Sequence, residues 1–342
     1  MKLITFAVPC YNSQDYLNKC VDSLLSGGDE VEILIINDGS TDGTREIADA
    51  YEKMYPSQVK AVHKPNGGHG SGVNKGLELA TGLFYKVVDS DDWLDLDALL
   101  TLLSTIRRHV KENTVPDLYV TNFVYEKFTD RTRYVSRYRK ALPAGEISDW
   151  SKTKPLKLWK MYLMHALVYR TQMLRDIGIV LPEHTFYEDN LFAYQPLPNV
   201  KKLFYLDVDL YRYYIGRSDQ SVNVENVVKR YDQQINITRL MLKAYSYNEI
   251  ESMCKPLRSL MYHCLHVMLM NTYFFTTAKD DPVRRERFAL MWQELKSNDP
   301  RLYRRLKRMP MVWILDRLSW RVKGRVTTRS YRFLCKHVKL GV

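Results

Sequence analysis

Cysteine is scarce in this chain: five among 342 residues, at Cys10, Cys20, Cys254, Cys264 and Cys335. No two of them have zinc-ligand spacing, and the number is odd. That argues against a zinc module and a disulfide framework, and points to free thiols in a reducing compartment. Long apolar runs are missing too. The longest tract, Leu260 to Phe275, is interrupted by His263, His266 and Asn271, and falls short of the roughly 20 apolar residues that a membrane-spanning helix needs. The stretch Met1 to Pro9 is too short for a signal peptide. There is no internal repeat and no low-complexity segment. Net charge is absent from most of the chain, since residues 1–300 hold 38 basic and 38 acidic residues. The whole excess of +12 lies in residues 301–342, where thirteen Lys and Arg stand against one acid, Asp316. The basic character therefore belongs to a tail and not to the body.

What is present is material for a large core, with 45% hydrophobic and 12% aromatic residues. Residues 3–9 form an apolar run closed by Pro9. A helical spacing follows from Ser13 to Leu25. Apolar strands are expected at 31–37, 59–63 and 83–88, separated by a helix through Ile47, Ala50, Tyr51 and Met54 and by a second helix ending at Thr81-Gly82. This alternation predicts an α/β fold, a sheet with helices on both faces. Beyond it the spacing predicts a helix over 96–110, strands at 118–128 and 133–138, a helical pattern over 155–178, a tyrosine-rich strand over 200–214 and helices over 226–305. In such sheets ligands bind beyond the carboxyl ends of the strands.

The strand at 83–88 ends in Asp89-Ser90-Asp91-Asp92, three acids within four positions. They repel one another, and a divalent cation shared with substrate phosphates would compensate them. The same residues also read as a loop with an acidic helix cap at Asp92 or Asp95. Asp38 ends the second strand, so the two acid groups can face one site. Asn66-Gly67-Gly68-His69-Gly70-Ser71-Gly72 follows the third strand rather than the first, and its glycine spacing is not that of a dinucleotide fingerprint. It reads as a flexible loop whose N–H groups approach phosphates, or as a plain turn.

Pro9-Cys10-Tyr11-Asn12, Asn37-Asp38-Gly39-Ser40-Thr41-Asp42, Asn74-Lys75-Gly76, Asp89-Ser90-Asp91-Asp92 and Glu188-Asp189 occur in an order and register that resembles family 2 glycosyltransferases. The resemblance extends to the tyrosine-rich strand and the loop holding Arg217, and covers about residues 1–222. It implies a GT-A-type, Rossmann-like, mixed and mostly parallel sheet: a glycosyltransferase domain over 1–225, with a nucleotide-sugar half (1–112) and an acceptor half (113–225), followed by a helical region over 226–342.

The resemblance also implies roles. Pro9, Tyr11, Asn12, Asn74 and Ser90 would line the donor site. Asp38 would accept the uracil N–H, with turn formation as its simpler use. Asp89 would hold the ribose, Asp91 a Mn²⁺ or Mg²⁺ on the diphosphate, and Arg217 the diphosphate itself. Asp189 would be the base that takes the acceptor hydroxyl proton, with Glu188 orienting a hydroxyl, for single displacement with inversion. An N-cap pair is the simpler reading of these two acids. His165 and His184 read as satisfied structural histidines, Lys75 as a solvated or donor-side cation, and Tyr205, Tyr211, Tyr213 and Tyr214 as core.

The expected partners are a UDP-sugar and a glycan or lipid-linked acceptor in cell-surface polysaccharide synthesis. A nucleotidyltransferase would want a glycine-rich basic loop after the first strand, where Cys10-Tyr11-Asn12-Ser13 stands instead. A non-catalytic scaffold that binds membranes or polyanions is the other rival. In the tail, Met311, Ile314, Leu315, Leu318, Val322 and Val326 fall at helical spacing among arginines, with Trp313 and Trp320. That pattern suits a basic amphipathic helix on an anionic membrane, and equally a helix packed on the body. No nucleic-acid module accompanies the charge. The expected location is cytoplasmic, with the tail resting on the inner face of the membrane.

Overall fold

The computed structural model describes residues 1–127, 132–158, 160–215 and 228–338, apart from the side chains at 331, 332 and 334–338. The chain divides into two compact units, one of residues 1–154 and 162–214, the other of residues 155–161 and 215–342. Each is described in turn.

The first unit is a mixed sheet with helices. Its strands are β1 (Ile4–Cys10), β2 (Val31–Asn37), β3 (Val59–His63), β4 (Phe84–Val87), β5 (Trp93–Leu94), β6 (Leu118–Lys127), β7 (Arg133–Ser136), β8 (Ile147–Ser148), β9 (Leu167–Arg170) and β10 (Leu203–Ile215). The order is β3-β2-β1-β4-β9-β6-β10-β5, with β7 beside β6 and β8 beside β10. The β3-β2-β1-β4 portion is parallel, and the pairs β4–β9 and β6–β9 are antiparallel. Ile33, Leu34, Ile35 and Ile36 are all fully buried, as expected of parallel strands covered on both faces, which read as continuous apolar runs. The connecting helices are α1 (Leu17–Leu25), α2 (Thr44–Met54), α3 (His69–Leu79), α4 (Leu96–Lys111), α5 (Thr171–Asp176) and α6 (Asp189–Tyr194). Asp95 is the cap of α4, its side chain accepting from the Ala98 amide at 3.1 Å.

Two expectations are corrected. The stretch 155–178 is not helical throughout: it contains β9 and the short α5. Leu167, Val168 and Tyr169 are fully buried, and the β-branched Val168 and aromatic Tyr169 suit a strand set between β4 and β6. The glycine-rich stretch is not wholly a loop either, because α3 begins at His69 and takes in Gly70 and Gly72. The reason is proximity. A Cβ on Gly72 would lie 2.8 Å from Pro9 Cβ, and one on Gly76 would lie 2.6 Å from Ala7 Cβ and 2.7 Å from Tyr85 Oη. Helix α3 lies so close to β1 that any side chain at these positions clashes.

The second unit is helical: α7 (Tyr231–Ala244), α8 (Tyr247–Ser252), α9 (Lys255–Thr277), α10 (Pro282–Asn298), α11 (Pro300–Lys307), α12 (Pro310–Arg317) and α13 (Trp320–Val338). Helix α9 is its axis, with Met261, Leu265, Met268 and Leu269 buried. The expected single tail helix is two, because the backbone turns extended at Leu318. Its stripe also divides: Leu315 is buried, while Met311 and Ile314 are exposed, as is Trp313. Asp316 accepts a hydrogen bond from Tyr273 and pairs with Lys307 at 2.7 Å, which moors α12 within the unit. No helix among the described residues is long and apolar enough to cross a membrane.

Candidate active site

The carboxyl ends of β1, β2 and β4 converge with the amino end of α3 and the segment 181–190. The residue that joins them is one that sequence reasoning passed over. His69, the first residue of α3, places Nε2 2.9 Å from Asp89 Oδ1 and Nδ1 2.7 Å from Glu188 Oε1. Burial pulls the ring's pKa down, but the bonds to Asp89 and Glu188 outweigh it and hold the imidazolium well above the usual histidine range. Asp89 shows the counterpart: burial pushes it up, the bond from His69 prevails, and it titrates below the usual carboxylate value. Asp89 and Glu188 are 99 positions apart in sequence, so no local pattern reveals the bridge.

Asp189 follows Glu188 at the start of α6. Burial, then the neighbouring Glu188 charge, raise its pKa to about 7, with Asp89 adding and His69 opposing. A carboxyl poised there is suited to accept a proton near neutral pH. Glu188 itself is only 3% exposed.

Beneath Asp89 lies a second group. Asp92 is 1% exposed; its carboxylate accepts from Tyr211 Oη at 2.6 Å and from the Tyr214 amide at 2.7 Å. Burial, then Asp91 and Asp89, push its pKa well up. His165 stacks on Tyr211, with ring centroids 4.6 Å apart and planes 5° from parallel. Burial lowers its pKa to about 4, so the ring is neutral. Its Nδ1 is buried without a hydrogen-bond partner. Potential ligand atoms of Asp89, Asp92 and His165 lie within 4.8 Å of one another. The expectation of a satisfied His165 is thus corrected, since a buried ring nitrogen without a partner beside two carboxyls is a donor set a divalent cation fits. Lys86 supports this floor. It is fully buried and donates to the His165 carbonyl at 2.7 Å, and burial lowers its pKa to about 7. Asp91 is half-buried beside the cluster and is not one of its three members.

The remaining sequence-selected residues build the walls. Asp38 is 2% exposed and accepts from Lys64 Nζ at 2.6 Å and from the Gly67 and Gly68 amides at 2.9 and 2.7 Å. This overturns the idea that those glycine amides reach for phosphate, because they are committed to Asp38. Asn74 clasps the Leu181 backbone, donating to its carbonyl at 2.8 Å and accepting from its amide at 2.9 Å. Asn12, with φ of 51°, accepts from the Thr41 amide at 2.9 Å. Ser90 shares a 2.7 Å hydroxyl contact with Ser13. Pro9 backs α3, and Tyr11 is exposed. Lys75 pairs with Glu78 at 2.7 Å, and His184 is exposed with φ of 46°. Tyr205 and Tyr211 are fully buried, so neither offers a face to a sugar. Arg217 lies outside the described residues.

Comparison with known proteins places this geometry. Residues 5–173 match the family model described as glycosyl transferase family 2. EpsH of Bacillus subtilis is 28% identical over 251 residues, 68% of this chain and 64% of EpsH. The chain thus spans just under two thirds of that relative's length. Chondroitin synthase of Pasteurella multocida is 37% identical over 123 residues, 35% of this chain and 12% of the synthase. Among solved structures, TarS residues 1–349 of S. aureus, in complex with UDP-GlcNAc, has a TM-score of 0.65 at 21% identity, covering 97% of this chain and 92% of that one. At that identity the likeness is one of fold. The match to the family model takes in the donor-side strands and their acids, and the chain belongs to glycosyltransferase family 2.

Proposed function

We propose that the protein transfers a sugar from a UDP-sugar to a hydroxyl of a glycan or lipid-linked acceptor, with inversion, in the assembly of a cell-surface polysaccharide. The observation that carries this is the bridge that His69 makes from Asp89 on the strand side to Glu188 on the other, next to which stands Asp189, raised to about 7 while Asp89 is held low. Acids whose environments separate their pKa values divide binding from proton transfer. Asp189 takes the proton of the attacking hydroxyl, and Glu188 orients it. The nucleotide lies along the ends of β1, β2 and β4, where Pro9, Tyr11, Asn12, Asp38, Asn74 and Ser90 shape the wall. The complexes of TarS with UDP-GlcNAc and UDP support the choice of a uridine nucleotide.

Asp89, Asp92 and His165, whose potential ligand atoms lie within 4.8 Å of one another, would hold a Mn²⁺ or Mg²⁺, with Asp91, two positions from Asp89, as the ligand that the family resemblance adds. Such an ion supplies Lewis-acid stabilisation of the departing diphosphate. The test is UDP release from a panel of UDP-sugars with Mn²⁺ or Mg²⁺, for wild type and Asp91→Ala. Release by the wild type, cut at least about 100-fold in the variant, is the expected result. A wild type that releases no UDP from any donor, or a variant equal to it, overturns the reading.

The tail contributes location. Met311, Trp313 and Ile314 are exposed on α12, and Arg317 lies 3.5 Å over the Trp313 ring. Exposed Arg321, Val322 and Arg325 follow on α13. An anionic bilayer matches this mixture, at about 1 kcal/mol for each cation near the surface. Cosedimentation should show the protein on vesicles containing phosphatidylglycerol and not on pure phosphatidylcholine. Arg317→Glu with Arg325→Glu should weaken binding more than about tenfold. Equal partition onto both vesicle types would remove the membrane from the proposal.

A further inference from the structure

The segment 181–188 is moored to α3 and its approach along their whole shared length. The Gly67 carbonyl accepts from the His184 amide at 2.7 Å, Ser71 Oγ donates to Glu183 at 3.1 Å, and Asn74 holds both polar atoms of the Leu181 backbone. A Cβ on Gly70 would lie 2.6 Å from the Pro182 carbonyl oxygen and 3.0 Å from Glu188 Cγ. Within this seam His69 alone, among the described residues, reaches both Asp89 and Glu188. Its ring is rigid, so its two nitrogens set the separation of the two carboxylates.

We infer that His69 is a positioning residue that registers the acceptor-side carboxylate of Glu188 against the donor-side carboxylate of Asp89. The inference rests on the transferase reading above. It needs no contact between His69 and substrate. A glutamine at 69 carries its two N–H donors on one nitrogen at the end of a flexible side chain, so it cannot hold the two carboxylates at the fixed separation that the two ring nitrogens impose. Misplacement of a group by about 1 Å is enough to cost about 100-fold in rate.

The test compares wild type, His69→Gln, Glu188→Gln and the double variant. Two quantities are measured: UDP binding with Mn²⁺ by calorimetry, and UDP release from UDP-GlcNAc, or from whichever UDP-sugar the wild type turns over. In His69→Gln the turnover number should fall about 10- to 100-fold while the UDP dissociation constant stays within about threefold. The double variant should be no slower than the slower single one, because residues acting through each other are not additive. Any other pairing of these outcomes overturns the inference, including a parallel loss of binding and turnover or fully multiplicative losses. If His69→Gln does not fold, as judged by its thermal transition, His69→Asn carries the same comparison. A wild type that releases no UDP at all would instead defeat the transferase reading, so the two failures are distinguishable.

Discussion

Asp189→Asn is expected to lower sugar transfer by about 10²- to 10⁴-fold, the range of a lost general base. UDP binding should be nearly unchanged, since asparagine keeps the shape and cannot take the proton. The wild type carries its own signature. Burial first, and Glu188 second, raise the Asp189 carboxyl to about 7, and only its ionised form can act as base. The turnover rate should therefore climb as pH rises towards about 7 and then level off. The same shift has a stability consequence of determinate sign. The folded state binds this proton more tightly than the unfolded chain, whose carboxyl has the ordinary value of 3.8. Its contribution to stability is complete below 3.8 and is lost as pH rises through about 7. Asparagine removes that loss, so at pH 8 the inactive variant should unfold at higher urea than the wild type. The gain is on the order of 2 kcal/mol once partial exposure is discounted. A variant that keeps more than about a tenth of the wild-type rate, or a wild-type rate that is flat from pH 5 to 8, would refute the assignment.

Gly70→Val should be nearly as damaging without touching any acid. Its Cβ would meet the Pro182 carbonyl at 2.6 Å, Glu188 Cγ at 3.0 Å and Leu181 Cβ at 3.1 Å. The first of these is backbone and cannot rotate away. The seam between α3 and the segment 181–188 must open, and Glu188 moves with it. Overpacking of this kind costs about 1–3 kcal/mol. The displaced carboxylate should cost at least about 100-fold in transfer, and Gly70→Ala should show the same effects in smaller measure. Thermal unfolding together with UDP release checks both. A valine variant with wild-type stability and turnover would mean that the two backbones do not lie this close.

The legible part of the molecule was the part that repeats locally. The apolar runs ending at Pro9, Asn37 and Val88 gave their strands away because both faces of a parallel strand are buried, and each run is punctuated by turn residues. The order of acids after them pointed to the strand ends where the candidate site is built. What stayed hidden depends on partners far apart in sequence. His69 sits in a glycine-rich stretch that reads as a turn, and its meaning comes from Asp89 and Glu188, 20 and 119 positions away. Tyr211 read as core, correctly, yet its hydroxyl tip holds Asp92 from 119 positions away. The strand at Leu167–Arg170 was masked because four residues, three of them buried, carry too little periodicity to tell a strand from a helical turn. The glycines of α3 misled for a related reason. Composition records that a side chain is missing, not that a neighbouring strand occupies its place. In the tail the basic excess was plain, but Asp316, the lone acid, anchors its helix to Tyr273 and Lys307, a tertiary fact that charge counting does not contain.

The closeness of α3 to β1 carries one more implication, for how the gene can drift. At positions 72 and 76 the obstacle is Pro9, which only shapes the donor wall, or Ala7 and the Tyr85 phenol, which meet no substrate in the proposed reaction. Selection for a soluble, well-behaved polypeptide, blind to turnover, would still return glycine there. Invariance at those two codons across descendants of this protein would then testify to architecture and say nothing about chemistry, whereas invariance at His69 would have no such excuse.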